Sequence, residues 1–255
     1  MSWIKSTFVK KFLYANAFAL TGAGLALYGL SKGSFKDTII EKLLLKRNAN
    51  DNEVYWDPSN PSDEKQKKPL KELEAEISNV ELVREMRNNP NIWKELPMSY
   101  GLGHEIKSTS FVHNTLNQPD HLLLEPVMFI DKEKQNVTFI FYIGKKLCGH
   151  PGITHGGIQA ILYDEAMARP ALLNLPRNTG FTAYLNITYK VPVVVNQILI
   201  MKCILKELKG RKALVTASIE NTDGLVLSTA ESLFISPRDP TILADNTATL
   251  GSIKH

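Results

Sequence analysis

The sequence is poor in cysteine: Cys148 and Cys203 are the two cysteines in 255 residues. Two cysteines are too few for a disulfide framework and lack the paired spacing of a metal site, which favours a reducing compartment. The 15 glycines and 13 prolines are also too few for a collagen-like or low-complexity chain. With 44% apolar residues, the chain can instead form one globular domain with additional segments.

Some ligand-binding signatures are missing as well. The sequence has no phosphate-binding glycine loop and no dinucleotide-binding glycine fingerprint, so NTPase and Rossmann classes are excluded. A zinc site made of Cys148, His150 and His155 is disfavoured, because it would distort a glycine-rich helix start and no paired ligand cluster completes it. We therefore expect neither a metal ion nor a cofactor.

Acidic residues are absent from residues 1–36, which carry five lysines; the first carboxylate is Asp37. This tail explains the net charge of +4, because the other 219 residues hold 25 Lys and Arg against 26 Asp and Glu. The basic character therefore belongs to the tail, and nothing in the globular part predicts nucleic-acid binding.

Residues 12–30 form a run in which only Asn16 and Thr21 are clearly polar. As a helix this run would be about 28 Å long, close to the hydrocarbon thickness of a bilayer. The pattern predicts a single membrane-spanning anchor. A mitochondrial targeting segment overlaps with it, and a secretory signal is a further alternative. We expect an import signal that can remain as an anchor, with the protein in the mitochondrion, anchored in the inner membrane or in the matrix.

The remainder divides by composition. We expect a targeting or transmembrane segment at 1–36, a linker at 37–69, a helical and irregular extension at 70–120, an α+β domain at 121–237 and a flexible tail at 238–255. Within the extension, residues 70–88 have helical spacing and 92–120 look irregular. The domain shows two strands, one helix and four strands, at 122–130, 137–142, 155–173, 181–191, 198–207, 212–220 and 226–235. That order predicts an antiparallel sheet against one helix.

The predicted helix at 155–173 is apolar on almost every face, which indicates that it is buried and that the sheet wraps around it. It nevertheless carries Asp164, Glu165 and Arg169. Glu165 and Arg169 are spaced to pair as i and i+4. Asp164 has no cation within the helix, and buried carboxylates of this kind collect at functional sites. The alternative for Asp164 is a bond to a distant cation or to backbone amides.

The helix opens with His155-Gly156-Gly157. Adjacent glycines at a helix start leave N–H groups pointing outward with the positive end of the helix behind them, an arrangement that can bind an anion or an oxyanion. Tight backbone packing is the alternative explanation.

These residues, together with the strand from Thr182 to Pro192 and the Gly210-Arg211-Lys212 turn before the last hairpin, resemble the hotdog-fold thioesterase superfamily. The resemblance covers about residues 122–236. Within the superfamily, the sequence resembles a fungal-like member of the branch that includes phenylacetate-pathway and mitochondrial acyl-CoA thioesterases. It implies a hotdog fold, in which an antiparallel sheet wraps around a central helix, and hydrolysis of acyl-CoA.

Carried onto this sequence, the resemblance implies that the Gly157 N–H polarises the thioester carbonyl. Asp164 would act as general base on water, or less favourably as nucleophile, with Thr182 orienting the water or the carboxylate. Gly157 and Asp164 lie about 10 Å apart along the helix, so one carbonyl cannot reach both in one chain. We therefore expect a homodimer, or a dimer of dimers, with sites shared between two antiparallel helices.

Further roles follow from the same resemblance. Gly156 and His150 would contact substrate, Arg211 and Lys212 would meet the CoA phosphates, and His155 would fix the loop. Related enzymes often carry Asn or Gln where this chain has Gly149, so the resemblance leaves the second oxyanion donor unassigned, and His150 is a candidate substitute. One alternative is a non-catalytic hotdog protein that binds acyl-CoA or scaffolds a mitochondrial membrane complex. A hydratase is disfavoured, because no histidine lies within helical reach of Asp164.

Overall fold

The structure, a computed structural model, describes residues 64–239, 241–251 and 253, with side chains from residue 70. The predicted membrane segment at 12–30, the targeting segment and most of the linker lie outside these residues. In the described part, no helix combines the length and apolarity needed to cross a bilayer.

The described residues form an antiparallel sheet packed on one central helix, which confirms the α+β prediction. The helices are α1 (Glu64–Asn79), α2 (Glu81–Asn88), α3 (His104–Thr109) and α4 (Gly156–Asn174), and a π-helical turn spans Phe111–Thr115. The strands are β1 (Trp93–Pro97), β2 (Val127–Asp131), β3 (Asn136–Ile143), β4 (Cys148–His150), β5 (Ile153–Thr154), β6 (Phe181–Tyr189), β7 (Gln197–Lys209), β8 (Lys212–Asn221) and β9 (Val226–Ile235). Seven of them pair in the order β1-β2-β3-β7-β8-β9-β6, and β4 with β5 makes a small separate hairpin. Helix α4 lies across the inner face of the sheet, against β3 and β6 to β9.

The burial of each strand follows from what covers its two faces. In β8, Ala213, Val215 and Ala217 point inward and are buried, while the residues between them are half-exposed, as expected when one face meets water. In β3 nearly every residue is buried. The reason is that α1 and α2 cover its outer face with four buried side chains, Leu73, Ile77, Val83 and Met86.

Two predictions for the extension were wrong in detail. The helix expected at 70–88 is two helices that break at Val80, and the first begins at Glu64, within the predicted linker. The stretch expected to be irregular contains β1, which pairs with β2 from Trp93 opposite Asp131 to Pro97 opposite Val127. This strand escaped prediction because it has only five residues, carries Lys94 and Glu95, and ends in a proline.

The tail was predicted to be flexible, but it packs on the domain. Leu250 and Ile253 are buried in the main core. Arg177 supports the tail by donating from its guanidinium to the Leu243 carbonyl at 3.3 Å. The prediction failed because two apolar anchors in an otherwise polar tail give no periodic pattern.

We expect Leu250→Ala to lower the free energy of unfolding by about 2–4 kcal/mol, because it removes a buried side chain and leaves a cavity. Urea denaturation of the purified protein measures this loss. Ile242→Ala is the matched control, since Ile242 is in the same tail but 57% exposed; its effect is expected to stay below about 0.5 kcal/mol. Equal effects of the two changes would contradict the docking of the tail.

Candidate active site

Helix α4 begins with its own histidine as the cap. The His155 backbone is extended, and its ring Nδ1 accepts a hydrogen bond from the Gly157 N–H at 2.9 Å. An accepting Nδ1 carries no proton, so the ring proton of this tautomer is on Nε2. The Gly157 N–H, predicted as the oxyanion donor, is therefore already satisfied by the cap.

The first amide of α4 is placed differently. Among the described residues, no acceptor is found for the Gly156 N–H, although the Gly156 carbonyl accepts from the Tyr189 hydroxyl at 2.8 Å. A first-turn amide without an acceptor, at the positive end of a helix, can bind an incoming oxygen that carries negative charge. Sequence reasoning missed Tyr189, whose strand position gave no indication that it reaches the helix start.

The residues before the cap fold back on it through the β4–β5 hairpin. A Cβ on Gly149 would lie 3.0 Å from the Cα of His155. A side chain at 149 would therefore crowd His155 unless the hairpin shifts by a few tenths of an ångström. His150 follows in β4, pairs with Ile153 and is half-buried, so the structure brings it to the same hairpin as the helix start.

Asp164 lies on α4 eight residues after Gly156, about 12 Å along the helix axis. Its Oδ1 accepts a hydrogen bond from the Thr182 hydroxyl of β6 at 2.8 Å. The structure thus joins two residues that the sequence placed 18 positions apart. Asp164 was expected to be buried, but in the single chain its carboxylate is exposed.

The helix α4 was also expected to be buried on every side, and in the single chain this was wrong. One strip of the helix is not covered by the sheet: Asp164 is exposed, and Ile161, Ala168 and Leu172 are half-buried. Three of these four residues are apolar, and spacings of three, four and four residues put all four on one helix face. The adjoining strand β6 is at the edge of the sheet and is exposed along most of its length.

A partly buried polar cluster supports another side of α4. The Nε2 of His113, in the π-helical turn, donates to Glu165 at 3.2 Å, while the Arg169 guanidinium lies 4.0 Å from the same carboxylate. Arg169 also donates to the Met98 carbonyl at 2.5 Å. Burial alone would raise the pKa of Glu165, but the His113 hydrogen bond and the Arg169 charge lower it below its usual value. The partner His113, 52 residues from Glu165, could not be found from spacing.

The two predicted phosphate-binding residues lie at one end of the sheet. Lys212 opens β8 opposite Ile235, which also pairs with Phe181 at the start of β6. Arg211 and Lys212 are therefore near the end of β6 that carries Thr182, away from Gly156. Lys212 is exposed, whereas the Arg211 guanidinium donates to the Ser236 carbonyl.

Metal ligands are not grouped at this site. Throughout the described ranges, no three His, Cys, Asp or Glu side chains are placed so that they could hold a metal ion.

Comparison with known proteins identifies the family. Residues 151–228 match the family described as Thioesterase superfamily. The chain is 30% identical over 152 residues to acyl-coenzyme A thioesterase THEM4 of Xenopus laevis, a match that covers 56% of this chain and 67% of the relative. The chain belongs to the thioesterase superfamily.

Two fungal proteins are also similar to this chain. A Candida albicans protein named "Uncharacterized protein, mitochondrial" is 26% identical over 145 residues, covering 57% of this chain and 65% of the relative. MIOREX complex component 3 of Saccharomyces cerevisiae is 31% identical over 99 residues, covering 39% of this chain and 37% of the relative. The matched thioesterase segment contains the helix start, Asp164 and Thr182.

Proposed function

We propose that this thioesterase superfamily member hydrolyses acyl-CoA thioesters at a site shared between two copies of the chain. One observation carries the proposal. The Thr182-bound carboxylate of Asp164 and the acceptor-free N–H of Gly156 are on one helix, about 12 Å apart. One thioester carbonyl and its attacking water cannot span that distance, so each site needs Asp164 from one chain and Gly156 from the other.

The open strip of α4 and the edge strand β6 favour this dimer. Large apolar side chains, Phe181, Tyr184 and Tyr189, are exposed on β6, and an unpaired apolar edge strand is readily covered by another chain. A two-fold axis between two antiparallel copies of α4 would bring each Asp164 towards the Gly156 of its neighbour.

The chemistry divides between the two helices. Asp164 takes a proton from water as the water oxygen attacks the thioester carbon, and the Thr182 O–H holds the carboxylate for this step. The developing oxyanion accepts from the Gly156 N–H. As the carbonyl re-forms, the carbon–sulfur bond breaks and the CoA sulfur leaves with the proton that Asp164 took from water. We give Gly156 the donor role predicted for Gly157, because the His155 ring occupies the Gly157 N–H. Lys212 and His150 remain candidates for contacts with CoA, and Arg211 is a weaker candidate because its guanidinium is bound to Ser236.

We place this activity in the mitochondrion, because the Candida albicans relative is named as mitochondrial and the amino-terminal tail is free of acids. The apolar run at 12–30 is proposed as the anchor to the inner membrane, with the matrix as the alternative location.

A second candidate is a non-catalytic acyl-CoA-binding or scaffold protein of a mitochondrial membrane complex. Gly149 favours it, since glycine supplies no side-chain donor there and a Cβ would be crowded by His155. The Saccharomyces cerevisiae relative is named as a complex component.

A thiol-release assay on the purified protein distinguishes the two candidates. Acyl-CoA substrates from short to long chains are supplied, and free CoA is measured with a thiol reagent beside a calorimetric binding titration. Hydrolysis by the wild type supports the thioesterase. Tight binding of acyl-CoA without release of thiol selects the scaffold.

We expect Thr182→Val to lower kcat about tenfold, because it removes the hydroxyl bonded to Asp164 and keeps the shape of the side chain. Thr188→Val on the same strand is the matched control and is expected to leave kcat unchanged. A Thr182→Val enzyme with wild-type kcat would remove Thr182 from the mechanism.

A further inference from the structure

A chain of buried hydrogen bonds runs from the sheet into α4 between the two proposed catalytic positions. The Ile219 N–H donates to the Tyr163 hydroxyl at 3.0 Å. The Tyr163 hydroxyl lies 2.9 Å from Ser228 Oγ, and Ser228 Oγ donates to Gln159 Oε1 at 3.0 Å. A serine hydroxyl has one proton, so Ser228 accepts from Tyr163 and donates to Gln159. All these bonds run in one direction.

An irregularity in the sheet coincides with the first of these bonds. The register of β8 with β9 shifts between Ile219 and Glu220. A shift of this kind interrupts the ladder and leaves a backbone group without its usual partner. The Tyr163 hydroxyl supplies the acceptor for the Ile219 N–H, so the tyrosine is matched to one position of the sheet.

These hydrogen bonds, which link Ile219, Tyr163, Ser228 and Gln159 and are called the relay below, are shielded from water. Tyr163 and Ser228 are completely buried, and Gln159 is 5% exposed. Burial raises the pKa of Tyr163 well above its usual value, although the bonds to Ser228 and Ile219 oppose the change. The phenol therefore stays protonated at physiological pH and can donate to Ser228. Breaking a buried network of this kind leaves polar groups that water cannot reach.

The relay touches α4 at two points that matter for the proposed mechanism. Tyr163 directly precedes Asp164, and Gln159 is in the first turn, three residues after Gly156. Other α4 side chains in the main core, such as Leu162, Ala166 and Met167, make apolar contacts. Apolar contacts are non-directional, so they tolerate small rotations of the helix. Directional bonds at 159 and 163 do not.

We propose that Tyr163, Ser228 and Gln159 are positioning residues that fix the rotation of α4, and thereby aim the Asp164 carboxylate at the attacking water. This inference rests on the proposed thioesterase function. The three residues touch neither substrate nor reacting atoms; they act through Asp164.

Tyr163→Phe tests the relay in the full-length dimer. The change removes the acceptor of the Ile219 N–H and the donor to Ser228 while keeping the ring. Since small misplacements of a catalytic group cost up to about 100-fold in rate, we expect kcat to fall about 10- to 100-fold and KM to change less than about threefold. In the Asp164→Asn background the same change is expected to lower the residual rate less than about threefold. Ser228→Ala should reproduce these effects, and the double variant should lose no more than either single variant.

Tyr142→Phe is the matched control, because it also removes a tyrosine hydroxyl, one that donates to Asn196 at 3.2 Å and belongs to a side chain packed under α1 and α2 rather than against α4. It should leave kcat unchanged. Rates are normalised to folded dimer and measured well below the melting temperature of each variant. A Tyr163→Phe enzyme with wild-type kcat overturns the proposal. So does an equal loss in the Asp164→Asn background, which would indicate a structural role only.

Hydrogen exchange separates failure of this proposal from failure of the thioesterase function. We expect Tyr163→Phe, but not Tyr142→Phe, to speed amide exchange in peptides covering Gly156 to Asp164. If the wild type hydrolyses no acyl-CoA, the proposed thioesterase function is rejected, and hydrogen exchange alone tests whether the relay positions α4. Unchanged exchange in those peptides would then overturn it.

Discussion

Replacing Asp164 with asparagine is expected to lower kcat for acyl-CoA hydrolysis by about 10²–10⁴-fold, the range that a general base contributes. Asparagine keeps the shape of the side chain and an oxygen that can still accept from Thr182, but it cannot take a proton from water. KM is expected to change little, because the carboxylate contacts the attacking water rather than the acyl or CoA group. Steady-state thiol release measures both constants.

The control for Asp164→Asn is the same replacement at an aspartate outside the proposed site. Asp223 lies in the exposed turn between β8 and β9, and Asp223→Asn is expected to leave kcat at the wild-type value. Because Asp164 is exposed in the single chain, its replacement should not unfold the domain, which circular dichroism checks. A fully active Asp164→Asn enzyme would exclude this residue as the base.

Gly156→Pro is expected to lower kcat by about 10²–10³-fold, the cost of removing one oxyanion donor. Proline deletes the N–H itself, and the first position of a helix accepts proline without loss of a helical bond. The extended backbone of His155 is also the conformation that a residue before proline prefers. The new ring would lie near the Tyr189 hydroxyl, about 3.3 Å from a Cβ at 156, and this exposed side chain can shift.

Gly156→Ala separates the amide from the side chain. Alanine adds the same first carbon but keeps the N–H, so we expect it to lose no more than about fivefold in kcat. If alanine and proline were equally damaging, crowding at Tyr189 rather than the missing donor would explain the loss.

Mixing the two inactive variants tests whether the site is shared. A heterodimer of Asp164→Asn with Gly156→Pro pairs an intact Gly156 of one chain with an intact Asp164 of the other in one of its two sites. Random exchange of subunits makes half of the dimers mixed, so about a quarter of wild-type activity should return. A mixture as inactive as its components would show that each site is built within one chain.

The elements with strong periodic signals were predicted well. The alternating strand at 226–235 has the predicted bounds, and α4 differs from its prediction by one residue at each end. Asp164 was singled out from the helix pattern and Thr182 from the resemblance, and the structure places the Thr182 hydroxyl 2.8 Å from Asp164 Oδ1. The proposed oxyanion donor is the Gly156 N–H instead of the predicted Gly157 N–H, because the His155 ring nitrogen already accepts a hydrogen bond from Gly157. A hydrogen bond of that kind depends on side-chain rotation, which local sequence does not specify.

Other features were not predictable for a different reason. The bonds of His113 to Glu165 and of Tyr163 to Ser228 join residues 52 and 65 positions apart. Periodicity reports which face of an element is apolar, but not which distant polar group meets it.

The contacts of α1, α2 and Arg169 determine how far the protein can be shortened and still fold. The matched segment 151–228 lacks β2 and β3, and the predicted domain 121–237 lacks α1, α2 and β1. A fragment with the second boundary would expose Phe129, Ile140 and Ile200 to water, since these residues lie under α1 and α2. It would also leave the Arg169 guanidinium without the Met98 carbonyl it now donates to. The segment that matches the family is thus shorter than the unit that packs together, and we expect truncations at the family borders to yield aggregating protein.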